Sequence, residues 1–339
     1  MRKNSIGNRF PYSHTQIAVF LVKISISGGL VAWIFISQVN LSELIDVMAG
    51  VELWLLLLAF GMHSLGFLFS ALRWQKLLKS QGVHVRLLAL IDSYLVGSFF
   101  NVFMPTRIGG DVVRVRDLSR ATASITRSAS SVFVERFLGM SVLLVFTLSA
   151  SLFRLPLSQK IPAIWVGIAI GVFGLAVLLS VLYSQFVSRL MWLIPLPKLR
   201  EKILAVWQTF CENAMLLLSQ REPLVWGLWY SFLLQVTVVV HFWIIGEALC
   251  FGIPLLDYFF LIPVQLVILM LPTINGIGLR EASSIVLFGF YGIVATDAAT
   301  FGLIDLAMML VIGLIGCFRF LFRRSIPERY ELHPGGTSF

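Results

Sequence analysis

Charge is scarce in this sequence. Only 13% of its 339 residues are Asp, Glu, Lys or Arg, while 58% are hydrophobic; a soluble domain carries about 25% charged and about 45–50% apolar residues. So little charge cannot cover a water-facing surface, which excludes an ordinary soluble globule. Cysteine is scarce too. Cys211, Cys250 and Cys317 form neither a CxxC nor a paired spacing, so a disulfide framework and a cysteine-based zinc site both fall away. HExxH, the phosphate-binding P-loop and GxSxG are all missing, and these are the patterns that announce zinc hydrolysis, nucleotide cleavage and serine-nucleophile chemistry. No cofactor and no metal is expected, and an enzymatic role has no visible motif. Basic residues outnumber acidic ones, for a net charge of +9. They sit in short segments between apolar runs rather than in one solvated patch, so nucleic acid is not an expected partner.

What abounds is apolar sequence in bilayer lengths. Twenty-eight Phe and nine Trp suit lipid-facing and interfacial positions. Apolar runs extend over 17–39, 51–72, 87–104, 131–153, 161–183, 223–248, 255–272, 279–295 and 299–318, and a helical crossing needs about 20 residues. The first run, about 35 Å of helix, is too long for a signal-peptide core and has no small-residue cleavage site behind it. It reads as an uncleaved first span. The runs 87–104 and 279–295 are short, and each adjoins a Pro/Gly break. An amphipathic stretch at 199–220 is expected to lie along the membrane surface. The sequence thus reads as an all-α, polytopic transmembrane bundle in a single membrane domain, with about six full spans and two broken, re-entrant segments.

Loop charge sets the orientation, because Lys and Arg concentrate on the cytoplasmic side. Arg2, Lys3 and Arg9 precede the first span, and the segments carrying Arg73 to Arg86, Arg107 to Arg127, Arg189 to Arg221, and Arg319 to Arg324 are all basic. Glu43 and Asp46 mark an external loop; Arg154 with Lys160 fits an external position poorly. Both termini are then cytoplasmic. Two loops share a pattern, Pro105-Thr106-Arg107-Ile108-Gly109 and Pro272-Thr273-Ile274-Asn275-Gly276. The runs flanking them are displaced along the chain by nearly the same interval that separates Pro105 from Pro272. The segment 51–153 therefore reads as one repeat and 223–322 as a second, joined by the span 161–183. In the charge-derived orientation the copies run in opposite directions, the inverted-repeat plan of many transporters. Backbone freed at Pro105, Gly109, Gly110, Pro272, Gly276 and Gly278 must be surrounded by protein or water rather than lipid. The two breaks are expected to meet in space, with Glu135, Glu281 and Asp305 around one cavity.

At these residues the sequence resembles a known family. The run NVFMPTRIGGDVVRVRDLSR, followed by SASSVFVERFLGM, is similar to the lysylphosphatidylglycerol synthase transmembrane region family, also called flippase-like. The likeness is carried by Asn101, Pro105, Gly109, Gly110, Asp111, Arg114, Glu135 and Arg136, and by a second signature at Pro272, Gly276, Gly278 and Glu281, with Asn275 where a Gly is usual. It covers essentially the whole chain, and it implies the membrane fold and a role in handling lipids. It does not imply aminoacyl transfer, because in synthases of the family a large soluble domain follows the membrane region.

Individual residues divide between function and topology. Arg107, Asp111 and Arg114 beside the first break suit a phosphate or polar headgroup, since a planar guanidinium binds two oxygens at once; loop topology alone would also place arginine there. Glu135 and Arg136 open a span, either as an interfacial pair or as part of the same site. Arg280 and Glu281 follow the second break, and Asp305 lies inside the last span; charges at membrane depth are costly and face a cavity or a partner. His63 and His241 read as helix-packing residues. The expected function is translocation or accommodation of a lipid or lipid-linked headgroup across a bacterial inner membrane, with a glycosyltransferase or lipid synthase as a protein partner. Its rivals are a membrane-embedded transferase acting on a polyprenyl phosphate and a non-transporting subunit that assists a lipid synthase.

Overall fold

The computed structural model describes residues 51–103, 109–159, 162–183, 197–269 and 279–322. The expected span at 17–39 and both Pro/Gly loops, with Pro105, Arg107, Pro272, Gly276 and Gly278, lie outside the described residues. Within them the helices are α1 (Leu53–Ser80), α2 (Leu87–Phe103), α3 (Gly109–Thr122), α4 (Ile125–Phe153), α5 (Pro162–Tyr183), α6 (Pro197–Ser219), α7 (Arg221–Ala248), α8 (Leu255–Ile268), α9 (Leu279–Gly289) and α10 (Ala295–Phe322), with one further helical turn at Leu155–Ser158.

Five of these helices, α1, α4, α5, α7 and α10, are long and apolar enough to cross a bilayer. At 1.5 Å per residue α1 and α7 are each about 42 Å long, beyond the ~30 Å hydrocarbon core. Helices α2 and α8, of 17 and 14 residues, reach only about 26 and about 21 Å, short of that core. Each folds back on its successor instead, α2 against α3 and α8 against α9. Gly110 makes the first of these hairpins possible. A Cβ there would overlap the Gly97 carbonyl and lie 2.6 Å from the Asn101 side chain, whose Oδ1 accepts a hydrogen bond from the Gly110 N–H at 2.8 Å. Gly109 and Gly110 are therefore the opening residues of α3, where bare backbone lets the two helices touch.

The halves correspond helix by helix. The interval from the start of α1 at Leu53 to that of α7 at Arg221 equals the interval from α2 at Leu87 to α8 at Leu255. The starts of α3 and α9 (Gly109, Leu279), and of α4 and α10 (Ile125, Ala295), share a second, slightly longer interval. Even the ends of α1 and α7 match. Gly82 N–H bonds to Lys79 O and Val83 N–H to Leu78 O; at the equivalent positions Cys250 N–H bonds to Glu247 O and Phe251 N–H to Gly246 O. Packing obeys the same exchange: α2 lies on α10 and α8 on α4, α3 on α4 and α9 on α10, α1 on α2 and α7 on α8.

Helices α1 and α7 also pack on each other. As numbers rise along α1 from His63 through Gly66 to Arg73, the touching residues on α7 fall from His241 through Leu234 to Ser231. The pair is antiparallel, so the two-fold axis relating the halves runs across the helices, as an inverted repeat requires. Gly66 and Leu234 are counterparts that touch each other, with a Cβ on Gly66 only 3.2 Å from Leu234, which puts the axis at that point. Helices α5 and α6 belong to neither half. Helix α6 is amphipathic, burying Cys211, Ala214 and Leu217 beside Val134 and Leu138 of α4 and exposing Lys198, Glu201 and Lys202.

Candidate functional site

Glu135 sits one-third of the way along α4 with its side chain 1% exposed. A lone carboxylate at such depth would not stay charged, and here it is heavily bonded. Its Oε1 accepts from Arg73 of α1 and from the Tyr94 hydroxyl of α2 at 2.6 Å, and its Oε2 accepts from Arg114 of α3. Arg114 also donates to Tyr94 Oη at 2.9 Å, and its guanidinium lies 4.2 Å from the Trp74 ring centre and 4.0 Å from that of Tyr94. Arg73 reaches across the α1–α7 seam to Ser231 Oγ at 2.8 Å. Asp111 continues the chain outward, accepting from Arg114 at 3.3 Å and from Arg136 at 2.9 Å, and the Arg136 side chain is 50% exposed. Three cations thus share two carboxylates. The Nε atoms of Arg73 and Arg114 are buried and have no hydrogen-bond partner among the described residues, which do not saturate this set of donors. From Asp111 and Arg136 a groove of about 340 Å³ runs along α3 and α4, walled by Val112, Val115, Ala129, Val132 and Phe133.

A second cluster surrounds Asp305 in α10. Its Oδ2 accepts from Arg280 of α9, and its Oδ1 lies 3.3 Å from His241 Nε2 of α7. The other ring nitrogen, His241 Nδ1, is 2.9 Å from the carbonyl of Ala59 in α1. The His63 ring meets that of His241 edge-on at 5.0 Å.

The two clusters are repeat counterparts. Glu135 and Asp305 stand at equivalent positions of α4 and α10, and Arg73 and His241, like His63 and Ser231, at equivalent positions of α1 and α7. The bond from Arg73 to Ser231 is therefore matched by the contact of His241 with His63. Only the α3 and α9 arginines are displaced, since the counterpart of Arg114 is Ser284 and that of Arg280 is Gly110. His63 and Arg73, ten residues apart on α1, place the clusters about 15 Å from each other along the seam. Glu135 and Asp305 consequently belong to two separate clusters. Two outlying ion pairs join exchanged helices as well, Asp92 of α2 with Arg319 of α10, and Asp257 of α8 with Arg154 at the end of α4. The second pair neutralises the arginine that fits the charge rule poorly. In the turn after α9, burial and the Asp257 carboxylate push the Tyr291 phenol up to about 12.

Of the residues singled out from sequence, Asp111, Arg114, Glu135 and Arg136 meet in the first cluster, and Arg280 and Asp305 in the second. Glu281 lies in α9, but its side chain is outside what the structure describes, as is Arg107 entirely. Sequence reasoning missed Arg73, which it counted among loop cations, and Tyr94, and it read His63 and His241 as packing residues. The repeat correspondence of Arg73 with His241 was the signal that could have found them. The donor atoms of His63, His241 and Asp305 lie within 4.8 Å of one another. The Asp305 carboxylate is already bonded to the Arg280 guanidinium, which leaves the trio little net negative charge with which to attract a dication.

Residues 20–316 match the family described as lysylphosphatidylglycerol synthase TM region, and that stretch holds both clusters and the groove. The chain belongs to the lysylphosphatidylglycerol synthase transmembrane region family. It is an integral membrane protein. Among curated proteins, UPF0104 membrane protein PH1989 of Pyrococcus horikoshii is 24% identical over 301 residues, covering 83% of this chain and 90% of its own. No solved structure matches the chain.

Proposed function

We propose that this family member translocates a lipid or lipid-linked anionic headgroup across a bacterial inner membrane, with both termini in the cytoplasm. In the charge-derived orientation the Glu135 cluster lies toward the cytoplasm and the Asp305 cluster toward the outside. One observation carries the reading: two buried carboxylate–cation clusters, equivalent by the repeat, stand about 15 Å apart along the α1–α7 seam. An empty site of this kind must keep its arginines paired, because an unpaired guanidinium at membrane depth is costly. Glu135 and Asp305 serve as placeholders. An arriving phosphate takes over the guanidinium donors, including the idle Nε–H groups of Arg73 and Arg114, through charge-assisted bonds. The apolar groove ending at Asp111 and Arg136 suits an acyl or prenyl chain whose headgroup lies at its charged end. The two-fold axis then offers a like site to the opposite leaflet, the logic of inverted-repeat carriers.

Lipid-resolved mass spectrometry of the purified protein tests this. An anionic phospholipid or polyprenyl phosphate should co-purify above its share of the membrane, and Arg114→Lys should lose the enrichment while inserting normally, because ammonium lacks the two-pronged donor. Bulk lipid composition in both proteins would contradict the proposal.

A further inference from the structure

The repeat sets a permanent cation, Arg73, against a titratable one, His241, and the hydrogen-bond polarity around His241 gives that difference a consequence. A carbonyl can only accept, so His241 Nδ1 must carry the hydrogen that bonds Ala59 O. In a neutral ring Nε2 is then a bare acceptor, facing the Asp305 carboxylate oxygen at 3.3 Å. Two acceptors opposed in a buried site repel, a contact tolerated while Arg280 neutralises Asp305 and untenable once an anion draws that arginine away. One proton placed between them converts the contact into a charge-assisted hydrogen bond. The charge count changes with it. Arg73, Arg114 and Glu135 always leave one positive charge in excess, whereas Arg280 and Asp305 cancel until His241 is protonated. Only the protonated second cluster reproduces the first.

We propose that the Asp305 cluster is a proton-linked anion site: an anionic headgroup occupies it together with a proton on His241, and the two leave together. This rests on the headgroup-translocation reading and deepens it by naming proton coupling at one of its two sites. The proton comes from the aqueous side that this cluster faces and returns to water when the anion departs, so no other co-reactant is required. Among the described residues, the titratable groups facing His241 are His63 from α1, Arg280 from α9 and Asp305 from α10. Helices α4, α6 and α8 also pack on α7; α6 meets it near Leu224, and the buried acids of α4 and α8 are already taken, Glu135 by Arg73 and Arg114, and Asp257 by Arg154. Histidine is the side chain whose ordinary titration falls within the physiological range, whereas arginine at the equivalent position holds its charge throughout.

Two measurements test the proposal separately from the function it rests on. In weakly buffered detergent at about pH 7, the wild-type protein is titrated with dihexanoyl-phosphatidylglycerol as the soluble anionic probe. Proton uptake approaching one per probe bound at this site is expected, by linkage. Binding without proton uptake overturns the inference and leaves the headgroup reading intact; absence of binding overturns both. In proteoliposomes, translocation of fluorescent phosphatidylglycerol should fall as pH rises, by up to about tenfold per pH unit. His241→Arg, which installs the residue that its counterpart already carries, should remove that dependence. A His241→Arg protein with the wild-type pH profile overturns the proposal, and so does a stoichiometric divalent metal in the wild-type protein that this variant lacks. The uptake measurement needs no variant, so a misfolded His241→Arg protein does not protect the idea.

Discussion

Arg114 shows how much one buried charge here depends on its neighbours. Two aromatic faces stack on its guanidinium, Tyr94 and Glu135 take its donors, and Asp111 holds its outer edge. Breaking a buried ion pair from one side costs about 3–5 kcal/mol, because the remaining partner keeps its charge and loses its solvent substitute. Glu135→Gln abandons two guanidiniums at once and should lower stability by about that amount, measured by unfolding in detergent. Arg136→Gln, removing a half-exposed partner, should cost less than about 1 kcal/mol. Equal losses in the two variants would show that burial does not set the energetics. The charged positions of Glu135 and Asp305 were legible in sequence because acids interrupting apolar runs stand out. Arg73 was not, since a cation at the end of an apolar run looks the same whether it lies in a loop or continues the helix inward.

Helix ends carry the repeat down to single hydrogen bonds, and they expose one local conflict. Gly82 closes α1 with φ 73°, a left-handed conformation that glycine adopts freely. Its counterpart at the end of α7 is Cys250, held at φ 56° and exposed. A side chain in that conformation costs roughly 1–2 kcal/mol, while glycine gives back about 0.5–1 kcal/mol in unfolded-state entropy. Cys250→Gly should therefore stabilise the protein by about 0.5–1 kcal/mol, read as a raised midpoint of thermal unfolding; a lowered midpoint would mean that the thiol makes contacts outweighing the strain. Among the described residues the spans were legible to within a turn or two. The sequence run 51–72 stops at Arg73, yet α1 continues to Ser80. The extra turns follow from Arg73 and Trp74 being buried by tertiary partners that hydropathy does not see.

At the scale of the whole molecule, α1 and α7 form a central antiparallel seam, and each half wraps its own charge cluster beside it. The matching loops at Pro105 and Pro272 were enough to suggest the repeat from sequence, and the helices follow nearly the same interval. The separation of the clusters was not legible, because linear spacing does not say that Glu135 and Asp305 lie on opposite sides of the axis at Gly66 and Leu234. The most direct measurement reconstitutes the protein in vesicles that carry a fluorescent anionic phospholipid and adds a membrane-impermeant reductant. Wild-type protein should expose the inner-leaflet label faster than protein-free vesicles do. Arg114→Lys and Arg280→Lys, inserted to the same level, should each slow that exposure by roughly tenfold or more, the worth of one charge-assisted hydrogen bond. Exposure no faster than in protein-free vesicles, or rates unchanged in both variants, would contradict translocation through these two clusters.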